Sequence, residues 1–303
     1  NGNWIHFQEL YIVSRRTLYI RRVEAAPSKT SVRETVVKRT RKPSEFLNDL
    51  EPTWCPGCSF FAVLSALTGA FARKLLNPEE LTVVSGIGCS SRLPFRLSTR
   101  VMHTVHGRAL PIALGVRLAR PHAPVVVTAG DGDLFSIGIG HFVHAARSGI
   151  DLTVLCLNNR MFAMTKNQAS PTSARGAWGS LTPGRTSREP LNPIDLAISS
   201  GATFVARSHA GDVKHLRSII AAALAHRGFA FVDILAPCRS FDPNASLPFS
   251  RLQDLSCDPN YRPDDPVAAH RAAAAVYGAD ADPNAKIPIG IYLRTAVKKT
   301  NRT

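Results

Sequence analysis

The sequence predicts an α/β fold with a doubly wound, mostly parallel sheet, and two observations support this prediction. Apolar strand-like runs alternate with helical segments from about residue 51 to residue 235, as in chains that build parallel sheets. Polar and glycine-rich turns follow several of these strands, at the sheet edge where open α/β proteins bind ligands. A chain of 303 residues with 45% hydrophobic residues can bury one large core or two modest ones.

The elements follow one another in a regular order. Strands are expected at 81–85, 124–129, 151–157, 203–207 and 229–235, and helices at 59–75, 107–120, 134–148, 192–200 and 212–227. A polar segment rich in Ser, Thr, Pro and Gly runs from Thr165 to Arg188. A loop of this length is uncommon inside a compact domain, so we expect it to be functional. A short alanine-rich helix is expected near 267–276.

Composition divides the chain into three segments. Residues 1–45 are basic and are expected to form an irregular, partly disordered extension, whereas 46–242 carry the alternating pattern of the main domain. Residues 243–303 are rich in Pro and Asp and are expected to form an irregular C-terminal extension. No apolar run is long enough to cross a bilayer, so no membrane partner is expected and the chain is expected to be cytoplasmic.

The charge balance is strongly basic, with 37 Lys and Arg against 22 Asp and Glu and a net charge of +15. Much of this excess lies in two clusters, 38–42 and 298–302. We find no recognisable nucleic-acid-binding module, and therefore expect no nucleic-acid partner. A basic surface also attracts an acidic protein or a phosphorylated cosubstrate, which is the interpretation that we favour.

Gly130-Asp131-Gly132 follows one apolar strand, and Asn158-Asn159 follows the next. The glycines allow the backbone to approach a ligand, and a helix is expected to begin directly afterwards. A carboxylate and an amide oxygen at one sheet edge suit Mg²⁺, which favours oxygen ligands and binds together with substrate phosphates. The spacing therefore predicts a site for a metal-bound diphosphate.

Four of the six cysteines lie in turns at the ends of elements, where their side chains can converge: Cys55, Cys58, Cys89 and Cys238. Cys156 lies within an apolar strand and is interpreted as a small buried hydrophobic residue. A single Cys-x-x-Cys pair fits zinc, a redox dithiol or an iron–sulfur cluster, and from the residues alone these alternatives stay open. Two further single cysteines, distant in sequence, fit a 4Fe-4S cluster held by four thiolates.

Six motifs occur in order along the chain, and together they are specific. They are Trp54-Cys-Pro-Gly-Cys58, Ser85-Gly-Ile-Gly-Cys-Ser-Ser-Arg92, His106-Gly-Arg-Ala-Leu-Pro111, Gly130-Asp-Gly-Asp133, His141-Phe-Val-His-Ala-Ala-Arg147 and Asn158-Asn-Arg-Met-Phe-Ala-Met-Thr-Lys-Asn-Gln-Ala-Ser-Pro-Thr-Ser173. On these motifs the chain resembles the β subunit of 2-oxoacid:ferredoxin oxidoreductases of the 2-oxoglutarate or pyruvate type. The resemblance runs from Pro52 to about Asp242 and returns at 286–292.

The resemblance implies a thiamine-diphosphate-binding fold, specifically its diphosphate-binding module, and it assigns site residues. It implies cluster ligation by Cys55, Cys58, Cys89 and Cys238, and Mg²⁺ ligation by Asp131, Asn159 and the carbonyl group of Met161. The residues implied to line the thiamine diphosphate site are Ile87, Gly88, Cys89, Ser90, His106, Gly107, Arg108, Ala109, Gly130, Asp131, Gly132, Asp133, Asn159 and Met161.

The resemblance also implies the reaction, a coenzyme A-dependent oxidative decarboxylation of a 2-oxoacid to acyl-CoA and CO₂. One-electron transfers pass through the 4Fe-4S cluster to ferredoxin. Arg92 and Lys166 lie where similar enzymes place cations near the 2-oxoacid, which favours 2-oxoglutarate over pyruvate because two cations can bind a distal carboxylate. The alternative is that both are ordinary surface cations. His106 is expected to position a group by a hydrogen bond, or to act as an acid–base.

A partner subunit is implied as well. In this cofactor class a glutamate of a separate module activates the aminopyrimidine ring, and in this family that module lies on the α subunit. We therefore expect the chain to be inactive alone. Two alternatives remain open: a cluster-free thiamine-diphosphate decarboxylase or synthase, and a non-catalytic interaction subunit whose cysteines bind structural zinc.

Overall fold

The structure is a computed structural model that describes residues 9–14, 17–22, 35–179, 185–242, 249–275 and 285–296, with side chains from residue 40 onward. The strands, in chain order, are β1 (Glu9–Ser14), β2 (Thr17–Arg22), β3 (Thr35–Arg39), β4 (Thr82–Ser85), β5 (Arg100–His103), β6 (Val125–Gly130), β7 (Leu152–Asn158), β8 (Met161–Phe162), β9 (Gln168–Ala169), β10 (Phe204–His209), β11 (Phe229–Leu235), β12 (Leu252–Asp254) and β13 (Ile287–Arg294). The helices are α1 (Phe60–Arg73), α2 (Ala109–Ala119), α3 (Asp131–Phe135), α4 (Ile139–Ser148), α5 (Pro193–Ser199), α6 (Val213–Leu224) and α7 (Pro266–Ala274).

Eight strands form the main sheet, in the order β12-β13-β10-β11-β7-β6-β4-β5. The strand pairs are parallel, except that β13 runs antiparallel to β10. Both faces of the sheet are covered: α1 and α6 pack on one face, and α2, α4, α5 and α7 on the other. Because both faces are covered, every residue of β7 is buried, as expected for a central parallel strand. The predicted doubly wound, mostly parallel α/β fold is confirmed.

The helix predicted at 134–148 is wrong as one continuous element. Two helices, α3 and α4, are separated by residues 136–138, and α3 begins directly at Asp131. The turn at the break requires glycine at position 138, because a side chain there would lie 2.5 Å from the carbonyl oxygen of Asp133. The backbone of this turn packs against the loop at Gly107, so the break brings α3 close to that loop.

The sequence did not predict three strands of the main sheet, β5, β12 and β13. All four residues of β5 are exposed, because it is the edge strand of the main sheet and lacks the apolar run of a central strand. β13 contains Pro288 and Gly290, which weaken a strand signal. Since β13 pairs with β10, this part of 243–303 belongs to the main sheet, and the expected irregular C-terminal extension is wrong for it.

The expected irregular N-terminal extension is also wrong for the described part of residues 1–45. β1, β2 and β3 form an antiparallel three-stranded sheet of their own. Just after them, Phe46 is fully buried and its ring lies 5.4 Å from that of Phe71. The basic cluster at 298–302 lies outside the described residues. None of the described helices is both long and apolar enough to span a bilayer.

Candidate active site

A cleft of about 210 Å³ opens at the carboxyl ends of β4, β6 and β7. It is lined by residues of several turns that the sequence singled out, together with Phe60, Leu157 and the segment 162–165. The expected cofactor-site residues that line it are Ile87, Gly88, Cys89, Ser90, His106, Gly130, Asp131, Gly132, Asp133, Asn159 and Met161. Parallel strands that end at one edge therefore bring these distant turns together, as the position of ligand sites in open α/β sheets predicts.

Asp131 is the most buried acidic group of this cleft, with 1% of its surface exposed. Its Oδ2 accepts hydrogen bonds from Ser170 Oγ at 2.5 Å and Thr172 Oγ1 at 2.7 Å. Its Oδ1 has no hydrogen-bond partner among the described residues. Burial raises the pKa of the carboxyl group, and the hydroxyl groups of Ser170 and Thr172 act in the opposite direction. A buried carboxylate oxygen without a donor is the group that a bound cation would satisfy.

The two asparagines after β7 have different environments. Asn158 is 2% exposed and turns inward, where its Nδ2 donates to Asp233 Oδ1 at 3.0 Å. Asn159 lines the cleft, and its Oδ1 accepts a hydrogen bond from the backbone N–H of Met161 at 3.2 Å. Of the two asparagines, only Asn159 therefore faces the cleft as a candidate ligand. Asn158 instead ties the end of β7 to the neighbouring strand β11.

Asp133 ties together the two loops that flank the cleft. Its Oδ1 accepts hydrogen bonds from the backbone N–H groups of Ile87 at 3.2 Å and Gly107 at 2.8 Å. The same oxygen lies 2.8 Å from Nδ1 of His106. Burial raises the pKa of Asp133, and these backbone groups and His106 act in the opposite direction. An ionised Asp133 only accepts, so it holds the proton of His106 on Nδ1 and leaves Nε2 for a group in the cleft.

The remaining expected residues of the 106–109 loop do not line the cleft. Gly107 and Ala109 are buried behind it, and Arg108 is the residue that precedes α2. Gly107 has a φ of +70°, which favours glycine, and its N–H group is the one that Asp133 binds. This loop therefore contributes backbone geometry, while His106 contributes a side chain to the cleft.

A second pocket of about 210 Å³ adjoins the cleft and is lined by the four cysteines singled out from the sequence, Cys55, Cys58, Cys89 and Cys238. Its other walls come from the turn after β11 and from the loop before α1. Phe60, Cys89, Asn159, Ala163 and Met164 line both the cleft and this cysteine pocket. The two sites consequently share one wall.

The four thiols are free and close enough to influence one another's ionisation. Burial raises the pKa of Cys58 to about 11, and the other three cysteines add to this rise. Burial also raises the pKa of Cys89, whereas the Arg92 guanidinium lowers it. In the part of the chain that the structure describes, no three His, Cys, Asp or Glu side chains are grouped for a single metal ion.

The loop that carries Cys55 and Cys58 has the geometry of a tight turn. Gly57 supplies the left-handed residue with a φ of +73°, and the N–H of Cys58 donates to the carbonyl of Cys55 at 3.1 Å. The indole N–H of Trp54 donates to the carbonyl of Cys89 at 2.8 Å, which joins this loop to the turn after β4. Ser59 has a φ of −62° and bonds the carbonyl of Pro237 at 3.2 Å, so it is unstrained there.

Arg92 and Lys166 both line the cysteine pocket rather than the cleft. Nη1 of Arg92 donates to the carbonyl oxygen of Thr53 at 2.8 Å, two residues before Cys55. Lys166 is exposed and has a φ of +77°, in the loop that follows β8. The structure thus brings the two cations to one pocket, next to the wall that it shares with the cleft.

Comparison with known proteins agrees with this geometry. A family model described as the C-terminal TPP-binding domain of thiamine pyrophosphate enzymes matches residues 86–234. Subunit β of 2-oxoacid:ferredoxin oxidoreductase 1 from Aeropyrum pernix is 40% identical over 266 residues, which span 86% of this chain and 83% of that protein. The subunit β of 2-oxoacid:ferredoxin oxidoreductase from Saccharolobus solfataricus is 46% identical over 214 residues, 69% of this chain and 70% of that one.

The chain belongs to the 2-oxoacid:ferredoxin oxidoreductase β subunits. This family consists of oxidoreductase subunits that act on 2-oxoacids with ferredoxin, and the chain is an enzyme subunit of that class. A solved structure, 2-oxoglutarate:ferredoxin oxidoreductase from Magnetococcus marinus with 2-oxoglutarate, coenzyme A and succinyl-CoA bound, matches with a TM-score of 0.79. It is 35% identical, and the match covers 85% of this chain and 86% of that one.

Sequence reasoning missed two kinds of residue in this β subunit. The hydroxyl groups that bind Asp131 come from Ser170 and Thr172, and only the folded path of the loop after β9 brings them there. The fully buried pair of Arg207 and Asp233, joined at 2.9 Å, lies behind Asn158. Arg207 and Asp233 each lie inside an apolar strand of the sequence. Because charged residues are almost never fully buried without a partner, these positions could have predicted a buried ion pair.

Proposed function

We propose that this chain holds thiamine diphosphate with Mg²⁺ in the cleft and a 4Fe-4S cluster in the cysteine pocket. With an α subunit, it would convert a 2-oxoacid and coenzyme A to acyl-CoA and CO₂, reducing ferredoxin in two one-electron steps. The observation that carries the proposal is the wall shared by the two sites. Cys89 contributes to both, so the proposed redox centre and the proposed diphosphate site would lie on either side of this wall.

The donor set of the cleft fits a magnesium diphosphate. Asp131 Oδ1 offers an anionic oxygen, and Asn159 and the carbonyl of Met161 offer neutral ones at the same edge. The packing around these donors needs glycine: a side chain on Gly132 would overlap the Phe162 ring, and one on Gly130 would lie 2.9 Å from Ser90 Oγ. α3 begins at Asp131, directly beside these donors.

When bound, thiamine diphosphate supplies the carbanion-stabilising chemistry of decarboxylation. The protein's contribution is to position the groups around it. Asp133 fixes His106 and the backbone of both flanking loops, so that Nε2 of His106 is available to hold or move a proton at the cleft wall. Met164, Ala163 and Phe60 make the shared wall apolar, which limits the access of water.

The four thiols are the donor set of a 4Fe-4S cluster, which four cysteine thiolates hold. They line one pocket, and the other three cysteines add to the raised pKa of Cys58. Cys58 and Cys89 are half-buried thiols with raised pKa values, and cluster binding would keep them deprotonated. Arg92, which favours the ionised form of Cys89, assists this.

We further propose that 2-oxoglutarate is the preferred 2-oxoacid, with pyruvate second. Arg92 and Lys166 together offer two cations in the cysteine pocket, next to the shared wall, and a second carboxylate is what distinguishes 2-oxoglutarate from pyruvate. The Magnetococcus marinus enzyme, whose structure contains 2-oxoglutarate and succinyl-CoA, is similar over most of this chain. An α subunit would cover the open cleft, whose lining residues include no glutamate among the described ones.

The test of this function is a purified complex. The chain is co-expressed anaerobically with the α subunit, and iron, acid-labile sulfide, bound thiamine diphosphate and substrate-dependent ferredoxin reduction are measured. We expect a cluster, tightly bound cofactor and the highest specificity constant with 2-oxoglutarate. A complex that contains zinc in place of iron, or that decarboxylates the 2-oxoacid without reducing ferredoxin, would contradict the proposal.

A further inference from the structure

A turn made of Ser170, Pro171, Thr172 and Ser173 packs directly against Asp131, and we call its three hydroxyl-bearing residues the hydroxyl clasp. All three are nearly inaccessible: Ser170 is 8% exposed, Thr172 is 1% exposed and Ser173 is 4% exposed. Buried hydroxyl groups need partners, and these find them at the ends of β6 and β7.

The clasp binds only one of the two oxygens of Asp131. Ser170 Oγ at 2.5 Å and Thr172 Oγ1 at 2.7 Å both donate to Oδ2, whereas Oδ1 is left without a donor. Each hydroxyl group has a single proton, so Thr172 cannot also donate to Asn158 Oδ1, which lies 3.1 Å away. That amide oxygen accepts instead from the N–H of Arg160. The two hydroxyl protons are therefore committed to Asp131.

The third member of the clasp anchors it to the other side of the site. Ser173 Oγ donates to the carbonyl of Arg160 at 2.6 Å and accepts from the N–H of Ser170 at 2.8 Å. Arg160 lies between Asn159 and Met161, the other two proposed ligand positions. One turn is thus bonded both to Asp131 and to the segment that carries its proposed co-ligands.

The hydroxyl groups that donate to Asp131 are neutral, so they leave the negative charge of the carboxylate available to a cation. Among the described residues no Lys or Arg forms an ion pair with Asp131, in contrast to Asp233, which is paired with Arg207 at 2.9 Å. A neutral hydroxyl group orients a carboxylate without cancelling its charge. A guanidinium would orient it equally well but would compete with the metal ion.

We propose that Ser170 and Thr172 are positioning residues for the metal site, an inference that rests on the proposed function. They hold Oδ2 of Asp131 so that Oδ1 is presented as a single oxygen ligand to the cation of the diphosphate. Partners of this kind typically change metal affinity by about 10–100-fold when they are removed.

The test uses the full chain in complex with its α subunit, and titrates thiamine diphosphate in the presence of Mg²⁺ by calorimetry. Mn²⁺ binding, followed by electron paramagnetic resonance, replaces activity as a second readout. We expect Thr172→Val and Ser170→Ala each to raise the dissociation constant about tenfold. Thr172→Ser, which keeps the hydroxyl group, should remain within about threefold of the parent.

Two controls separate the possible outcomes. Thr203→Val removes a hydroxyl group that bonds His226 at 2.8 Å, far from the cleft in the fold, and should leave cofactor affinity unchanged. Asp131→Asn should abolish Mg²⁺-dependent binding. If Thr172→Val and Ser170→Ala bind within about twofold of the parent while Asp131→Asn does not bind, the positioning role is refuted and the proposed function stands. If Asp131→Asn also binds normally, the proposed site itself is wrong. Should Thr172→Val fail to fold, Ser170→Ala decides the question.

Discussion

At the scale of single residues, two buried carboxylates differ in the groups that compensate their charge: Asp131, directly after β6, and Asp233, within β11. Asp233 has no exposed surface and is paired with Arg207, while Asp131 is 1% exposed and has no ion pair among the described residues. A buried charge without a counter-ion lowers the stability of the folded protein. Removing one partner of a buried ion pair also lowers it strongly, because the other charge is then left unpaired. The protein without cofactor therefore carries a local destabilisation at Asp131.

This contrast predicts opposite effects of two equivalent substitutions. Asp131→Asn removes the uncompensated charge and should raise the free energy of unfolding of the cofactor-free chain by on the order of 1 kcal/mol. Asp233→Asn leaves Arg207 without its partner and should lower it by about 3–5 kcal/mol. Urea unfolding of the chain in the absence of Mg²⁺ and thiamine diphosphate measures both. Equal destabilisation by the two variants would show that the buried Asp131 carboxylate does not destabilise the cofactor-free chain.

The cysteines give a second prediction at this scale. Cys58→Ser should eliminate the cluster and ferredoxin reduction, because a serine hydroxyl is a poor substitute for a thiolate at a half-buried position. Binding of thiamine diphosphate should persist, since Cys58 does not line the cleft. Cys257→Ser is the matched control, because Cys257 is exposed and outside the cysteine pocket. The iron and sulfide content of the purified complexes is measured. A Cys58→Ser complex with as much iron and sulfide as the parent would contradict the prediction.

At the scale of elements, the turn between α3 and α4 supports one side of the cleft. This turn, at residues 136–138, packs against the loop of Gly107, whose N–H group binds Asp133. An added side chain on Gly107 would lie 2.8 Å from the backbone nitrogen of Gly138. The geometry of the cleft thus depends on two glycine-containing turns that meet behind it.

Two glycine substitutions test this dependence. Gly107→Ala should lower the free energy of unfolding by about 2 kcal/mol or more, because it adds backbone strain at a φ of +70° to a steric clash. Gly115→Ala lies within α2 with open space around it, and should stabilise the chain by about 0.5–1 kcal/mol. Thermal unfolding of the two variants measures the difference. Gly107→Ala as stable as the parent would exclude the proposed packing.

The elements that the sequence predicted are those whose signal is local. Central strands such as β6 and β7 are buried on both faces and appear as apolar runs, and the turns that end them carry the polar residues of the cleft. β5 is exposed and β13 contains proline and glycine, so pairing with neighbours, rather than composition, makes them strands. The contact of Ser170 and Thr172 with Asp131 depends on a long loop that folds back, which no spacing reveals.

At the scale of the whole molecule, the chain provides two adjoining sites and one open side. The cleft and the cysteine pocket share a wall, and both lie at the carboxyl edge of the main sheet. In our proposal the cleft binds the diphosphate end of the cofactor, and a partner subunit completes the active site. The residues that line the cleft include no glutamate within the described part of the chain.

The chain alone is therefore expected to bind Mg²⁺ and thiamine diphosphate weakly and to show no turnover. Adding the separately purified α subunit should restore activity in proportion to complex formation. Removal of Mg²⁺ with a chelator should abolish cofactor binding, because Asp131 and the diphosphate would then repel each other. Size-exclusion chromatography combined with an activity assay follows both effects. Full activity of the isolated chain would contradict the need for a partner.

The most direct test of the central claim measures coenzyme A-dependent ferredoxin reduction by the anaerobically purified complex with 2-oxoglutarate. The parent, Asp131→Asn and Cys58→Ser complexes are compared under the same conditions. Our account predicts reduction by the parent alone: Asp131→Asn fails because it cannot hold the cofactor, and Cys58→Ser fails although it still binds thiamine diphosphate. The claim that the cleft and the cysteine pocket form one redox site would be contradicted by either of two results. One is ferredoxin reduction by Cys58→Ser at the rate of the parent, and the other is that no complex reduces ferredoxin with any 2-oxoacid.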